Sequence, residues 1–287
     1  MVSKPVSRHR KNAAANAAPR SSLPVEKPVS RESASPVLPL FYSDPVPLAA
    51  SRHGAWRLLA GGAGFAAQST AIPLVVTDFV AASRHYPILF TAGVPSPVAL
   101  VGLERANLFV EDGQWAEGAY VPAYVRRYPF VLAEANDKSG FALAVDQASA
   151  LIAKEGGAGE ALFEDDQPSA VTKRALEYCR LFNVDFEQTR AFARALADAQ
   201  LLVERKADVT LPGGRKLGVA GFQVIDPEVF ARLPEETVVD WHRKGWLALI
   251  HFHLASLERF ADLLARQSRR EAAGPADAEP ALVPTIQ

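Results

Sequence analysis

Leu202-Val203-Glu204-Arg205-Lys206-Ala207-Asp208-Val209-Thr210-Leu211, then Pro212-Gly213-Gly214, then Lys216-Leu217-Gly218-Val219-Ala220-Gly221-Phe222-Gln223-Val224-Ile225: this stretch decides the fold. Two β-like runs flank a Pro/Gly turn. A connection this short joins only antiparallel neighbours, because parallel strands need a crossover of about a dozen residues or more. Upstream, residues 130–135 and 141–146 repeat the arrangement around Asn136-Asp137-Lys138-Ser139-Gly140, which predicts a second hairpin.

Shorter runs lie between the chain start and these hairpins. Residues 55–59 read as a strand ended by Gly61-Gly62-Ala63-Gly64. Residues 78–85 read as one helical stretch stopped by Pro87. Ile88-Leu89-Phe90 and Val98-Ala99-Leu100-Val101 read as strands joined by a Gly/Pro loop, and Glu111-Asp112-Gly113 carries turn chemistry after Leu108-Phe109-Val110. Two regions have helical period. Residues 170–200 place Leu176, Cys179, Phe182, Phe186, Phe192 and Leu196 on one stripe, with a break expected near Asn183. Residues 237–266 do the same with Trp246, Ile250, His253, Leu257, Phe260 and Leu264, after Pro234 and the acidic entry Glu235-Glu236. Hairpins followed by helices define the class: α+β, with an antiparallel sheet packed against two long helical regions.

Composition sets the outer limits. The chain has 287 residues, 49% apolar and 22% charged, enough for an ordinary core. The net charge of −1 argues against nucleic acid as a partner. Residues 1–38 hold seven Lys/Arg against Glu26 and Glu32 with almost no large apolar side chains, which predicts a disordered tail. Residues 269–287, rich in Ala and Pro, predict another. Residues 39–268 are then expected to form one α+β domain. The longest apolar stretch, 246–257, is interrupted by His251 and His253 and falls short of the roughly 20 residues a bilayer needs, so no transmembrane segment is expected. The basic start lacks an apolar core, so no secretory signal is read and the cytoplasm is the expected compartment.

Candidate chemistry concentrates in residues 115–130. Trp115, Tyr120, Tyr124, Arg126, Arg127 and Tyr128 combine flat apolar area with directed donors, a mixture suited to sugar, nucleotide or peptide recognition. The opposing reading is a packed segment whose tyrosines reach backbone partners and whose arginines are solvated. His85 and Tyr86 complete the set of candidate ligand-binding residues. Other motifs read as structural. His251 and His253 point about 200° apart on a helix, which opposes a shared metal ion. Glu164-Asp165-Asp166 lacks the spaced ligands of a calcium loop. The Gly61–Gly64 run lacks the spacing of a phosphate loop and reads as a flexible turn. Cys179, the one cysteine, reads as a buried hydrophobe on a helix and rules out an intrachain disulfide. No cofactor, metal or catalytic residue is assigned.

Read in order, Ile72-Pro73-Leu74-Val75 with Asp78-Phe79, His85-Tyr86-Pro87-Ile88-Leu89-Phe90, Pro97-Val98-Ala99-Leu100-Val101-Gly102-Leu103, Asn107-Leu108-Phe109-Val110 with Gly113 and Trp115, Tyr120-Val121-Pro122-Ala123-Tyr124-Val125-Arg126-Arg127-Tyr128-Pro129-Phe130, and the closing segments 217–225 and 242–257 resemble the bacterial SapC-like family. The resemblance implies a link to surface-layer loci and to loci for outer-membrane uptake receptors, and cell-surface association with them. It brings no catalytic residues. The expected function is therefore a non-catalytic accessory protein that binds a protein or glycan partner. The alternative is an enzyme acting on a sugar, peptide or amino-acid derivative through a Tyr/Arg/His pocket.

Overall fold

The computed structural model describes residues 38–134, 140–210 and 215–272. The tail expected over 1–38 falls almost wholly outside this range, as do the turns around Asn136 and Gly213 and the chain beyond 272.

The fold is α+β. Its central sheet has five antiparallel strands in the order Leu202–Thr210, Lys216–Ile225, Ile88–Thr91, Pro97–Leu100, Ala71–Pro73. The opening hairpin is thus its longest ladder, with Leu202 opposite Ile225 and Arg205 opposite Phe222. Between Arg205 and Ala207 the register shifts, and Gly221 on the other strand takes φ +79°. One type of bulge places a residue in that left-handed region, which glycine enters without steric penalty. The second sheet orders Pro45–Pro47, Phe141–Asp146, Phe130–Glu134, so the upstream hairpin is also present. A small sheet places Arg57–Leu58 between Ile152–Ala153 and Glu160–Ala161.

Two further hairpins are tight. Val110–Glu111 pairs with Gln114–Trp115, and Asp112 and Gly113 between them take φ +48° and +73°. Phe163–Glu164 pairs with Gln167–Pro168 around Asp165 and Asp166, at φ +46° and +60°. Two successive positive φ values define the turn whose twist matches a hairpin, and Asp and Gly tolerate it best. The acidic triplet 164–166 is therefore a hairpin tip before the helix.

The helix Ala170–Asp198 runs unbroken through Asn183, against the expected interruption. Ser169 caps it, accepting from the Thr172 amide at 3.4 Å. Its length serves two cores. Val171 and Cys179 pack with Trp56, Phe130, Leu143 and Val145 over the second sheet. Phe182, Phe192 and Leu196 join Phe79, Phe90, Ile225 and Ile250 over the central one. Phe186, assigned to the buried stripe, is 40% exposed, its ring stacked on that of Phe182.

Two expected helices are shorter than the sequence suggests. The 78–85 stretch holds a 3-10 turn, Val76–Asp78, and a single α-helical turn, Phe79–Ala82. The 237–266 region divides into Glu235–Arg243, Trp246–Ser256 and Arg259–Ala272. Gly245 at φ +73° makes the first break, and tight bonds such as Leu257 N–H to Leu254 O accompany the second. The last helix extends past the boundary expected at 268, and Arg269 and Arg270 in its final turn suit the negative end of its dipole. The middle helix staples the central sheet. The Ile225 amide donates to His253 Nε2 at 3.0 Å, and the Ile88 amide donates to Ser256 Oγ at 2.9 Å. His253 and Ser256 are fully buried. His253 is thus a core histidine whose Nε2 is paired while its buried Nδ1 has no hydrogen-bond partner among the described residues, and burial pushes its pKa down to about 4.

Candidate functional site

Residues 120–130 lead from the Val110–Trp115 hairpin to the second sheet with only one helical turn, Ala123–Arg126. Irregular backbone leaves carbonyls without ladder partners, and buried ones need donors. Tyrosines supply them. The hydroxyls of Tyr42, Tyr86 and Tyr178 donate to the carbonyls of Phe130, Tyr120 and Ala123. The segment's own Tyr124 donates to Leu40 O at 3.1 Å. All six tyrosines of the chain lie in this segment or bond to it. Trp115 Nε1 extends one chain, donating to the Tyr86 hydroxyl at 3.0 Å.

Two buried carboxylates anchor the segment's ends. Asp78 accepts from the amides of Val75 (2.9 Å) and Ala123 (3.1 Å) and from the Tyr120 hydroxyl. Burial raises its pKa, against the opposing pull of those bonds and of Arg126. Asp146 accepts from the amides of Asp44 (2.8 Å) and Ser43 (3.2 Å) and from the Tyr128 hydroxyl (3.0 Å). Burial is likewise the main reason the pKa values of Tyr86 and Tyr120 rise, which keeps both phenols neutral.

The adjacent arginines diverge. Arg127 points inward, its guanidinium 4.3 Å from the ring centroids of both Tyr124 and Phe182, with Nε buried and without a hydrogen-bond partner among the described residues. Arg126 points outward. Its side chain is half exposed, Nε donates to Val121 O at 3.0 Å, and one terminal nitrogen reaches the Tyr120 hydroxyl at 3.1 Å and Asp78 at 3.9 Å.

Arg126 overlooks a hollow of about 260 Å³. Trp115, Tyr128 and Gln114 line it, Val125 and Leu151 contribute apolar wall, and Gly61-Gly62 form one side. This glycine run is no free turn. The Ala63 amide donates to Gly113 O at 2.7 Å, and a Cβ on Gly62 would stand 2.0 Å from that same oxygen. The glycines let the 61–63 strap lie directly on the 112–113 hairpin tip.

The sequence matches the SapC family model over residues 48–263, most of the chain and every residue lining the hollow. The chain belongs to the SapC family. No curated protein and no solved structure matches it.

Of the eight residues singled out in this SapC sequence, Trp115, Arg126 and Tyr128 share the hollow. Tyr120 stands beneath it, bonded to Arg126. Tyr86, Tyr124 and Arg127 are committed to packing and internal hydrogen bonds. His85 lies elsewhere, in a second hollow beside Phe109, Arg266 and Arg269. Sequence reading missed Gln114 and the glycine strap of the SapC hollow. It also missed Asp78, whose signal was a lone carboxylate closing the apolar run 72–76. Among the described residues no group of three or more His, Cys, Asp or Glu is placed to hold a metal ion, and no helix is long and apolar enough to cross a membrane.

Proposed function

We propose that this SapC-family chain is an accessory binding protein of surface-layer or outer-membrane nutrient uptake. It takes a glycan or peptide segment of its partner into the Trp115–Arg126–Tyr128 hollow. One observation carries the reading: the hollow is lined by aromatic faces, a half-exposed guanidinium and a carboxamide, while the nearby carboxylates lie beneath it with their oxygens committed inward. Flat rings with a directed cation recognise sugar faces, peptide carbonyls and carboxylates without doing chemistry on them.

The test is retention of the full chain on glycan and peptide arrays. Trp115→Ala and Arg126→Ala should each weaken capture by about tenfold, the value of one charge-assisted or stacking contact, with the fold intact by circular dichroism. Undiminished capture by both variants would exclude the hollow as the site.

The enzymatic alternative draws on the chain Asp78–Tyr120–Arg126, in which a phenol donates to a carboxylate of raised pKa and accepts from a cation. That arrangement could relay a proton for a sugar, peptide or amino-acid substrate. Its mark would be Tyr120→Phe abolishing turnover while array binding persists.

A further inference from the structure

The helix Arg259–Ala272 carries a second site, away from the Tyr/Arg hollow. We propose that the cleft between this helix and the 108–112 segment binds a ligand with one compact phosphate head and an uncharged body, the head held by Arg84, Arg266 and Arg269.

Two hollows make up the cleft. One, of about 280 Å³, is lined by Arg84, His85, Phe109, Asp262, Arg266 and Arg269. The other, of about 550 Å³, shares Arg266 and Arg269 and adds Leu108, Val110, Glu111, Asp112 and Arg270. The smaller space therefore gathers three guanidinium groups and an imidazole around room for a phosphate and a few further atoms. Its one carboxylate is already engaged, because Asp262 accepts from Arg259 at 2.7 Å. Among the described residues, none of Arg84, Arg266 and Arg269 has a carboxylate within 4.0 Å.

Arg266 is held in advance. The Arg266 guanidinium lies 4.2 Å from the centroid of Phe109. The Phe109 amide donates to buried Asn107 Oδ1 at 2.9 Å, and Arg270 donates to Asn107 O at 3.3 Å. Stacking fixes a guanidinium plane while leaving its edge donors free for a bidentate oxyanion. Three like charges around one space repel one another, and a doubly charged head relieves more of that repulsion than a carboxylate does. The acidic rim of the larger hollow, Glu111 and Asp112, disfavours a second anionic group, which is why the body is uncharged.

His85 gives the readout. Burial, then Arg84, Arg266 and Arg259, hold its pKa below the ordinary histidine range. The groups facing it are Arg84 on its own segment and Arg259, Asp262, Arg266 and Arg269 on the helix. A bound dianion opposes those cations, so saturation should raise the His85 pKa.

The experiment titrates the full chain with glycerol 3-phosphate and, separately, with phosphatidylcholine vesicles carrying phosphatidic acid, following the His85 imidazole by NMR. The expected result is a saturable rise of about one pK unit, the size of one nearby charge. Arg84→Gln and Arg269→Gln, both exposed, should each weaken binding by about tenfold or more, and exposed Arg205→Gln on the central sheet should not. Response to the free ester alone identifies a soluble ligand. Response to vesicles alone, lost in the same variants, identifies a lipid head. Absence of a saturable shift with either probe, or equal binding by Arg269→Gln and wild type, overturns the proposal.

Discussion

Arg126 and Arg127 are consecutive, yet one guanidinium meets solvent at the rim of a hollow and the other lies between the rings of Tyr124 and Phe182. Successive residues at the end of a helical turn point about 100° apart, which suffices to send one to the surface and one into the core. The same residue type then has two separate roles.

Substitution should separate them. Arg127→Ala removes a desolvated cation–π contact of about 2 kcal/mol, along with the packing of its aliphatic stem, and leaves a gap between two rings. Arg126→Ala, half exposed, should change stability by less than about 1 kcal/mol. Urea denaturation of both variants measures the difference. Equal losses would mean that the inward guanidinium contributes no more than the outward one.

Asp78 should behave as a hub. Asp78→Ala leaves the amides of Val75 and Ala123 and the Tyr120 hydroxyl without their acceptor, a cost on the order of 3–5 kcal/mol. Tyr120→Phe removes one of the three donors and should cost about 1–2 kcal/mol. Because the two share a bond, the double variant should lose less than the sum. A double-mutant cycle in denaturant reads the coupling, and strict additivity would show that the bond contributes nothing.

His253 sets a pH dependence. Its folded pKa, about 4, lies below the ordinary 6.5, so the unfolded chain binds a proton that the folded chain refuses. The stability it supports is complete above pH 6.5 and is lost as pH falls from there towards 4. The difference corresponds to about 3 kcal/mol. Thermal melts of wild type and His253→Gln across that window test this: the slope should flatten in the variant, and an unchanged slope assigns it to other groups.

The glycine strap should discriminate between neighbours. On Gly62 a Cβ meets a backbone oxygen at 2.0 Å, while on Gly64 the nearest atom is the Gly113 Cα at an ordinary 3.6 Å. Gly62→Ala should therefore cost more than about 2 kcal/mol and disturb the Trp115 hollow, whereas Gly64→Ala should be neutral or stabilising by a few tenths. Thermal melts, with Trp fluorescence as the probe of the hollow, compare them.

The antiparallel hairpins were legible because a short Pro/Gly or Asp/Gly turn excludes every other connection. The division of residues 237–266 was legible in part: Gly245 is a visible stop, but the bend at Leu257 has no such residue and arises where the chain turns onto the Phe109 side of the core. The Tyr-rich segment divides between packing and an open hollow. Its phenols satisfy backbone carbonyls, as the packed reading requires, while Trp115, Arg126 and Tyr128 share a hollow. Nothing local distinguishes Arg126 from Arg127, because the side facing the core is set by Phe182, more than fifty positions away. His85, beside Tyr86 in sequence, belongs to another cavity for the same reason.

The convergence of every phenol on one connecting segment gives the protein a built-in optical gauge. The pKa of all six is raised, with burial the leading cause in each. Phenolate absorbance on alkaline titration therefore reports the loosening of residues 120–130 and of the side chains bonded to them, Tyr178 of the long helix included, while the long hairpin, which has no tyrosine, remains spectroscopically silent.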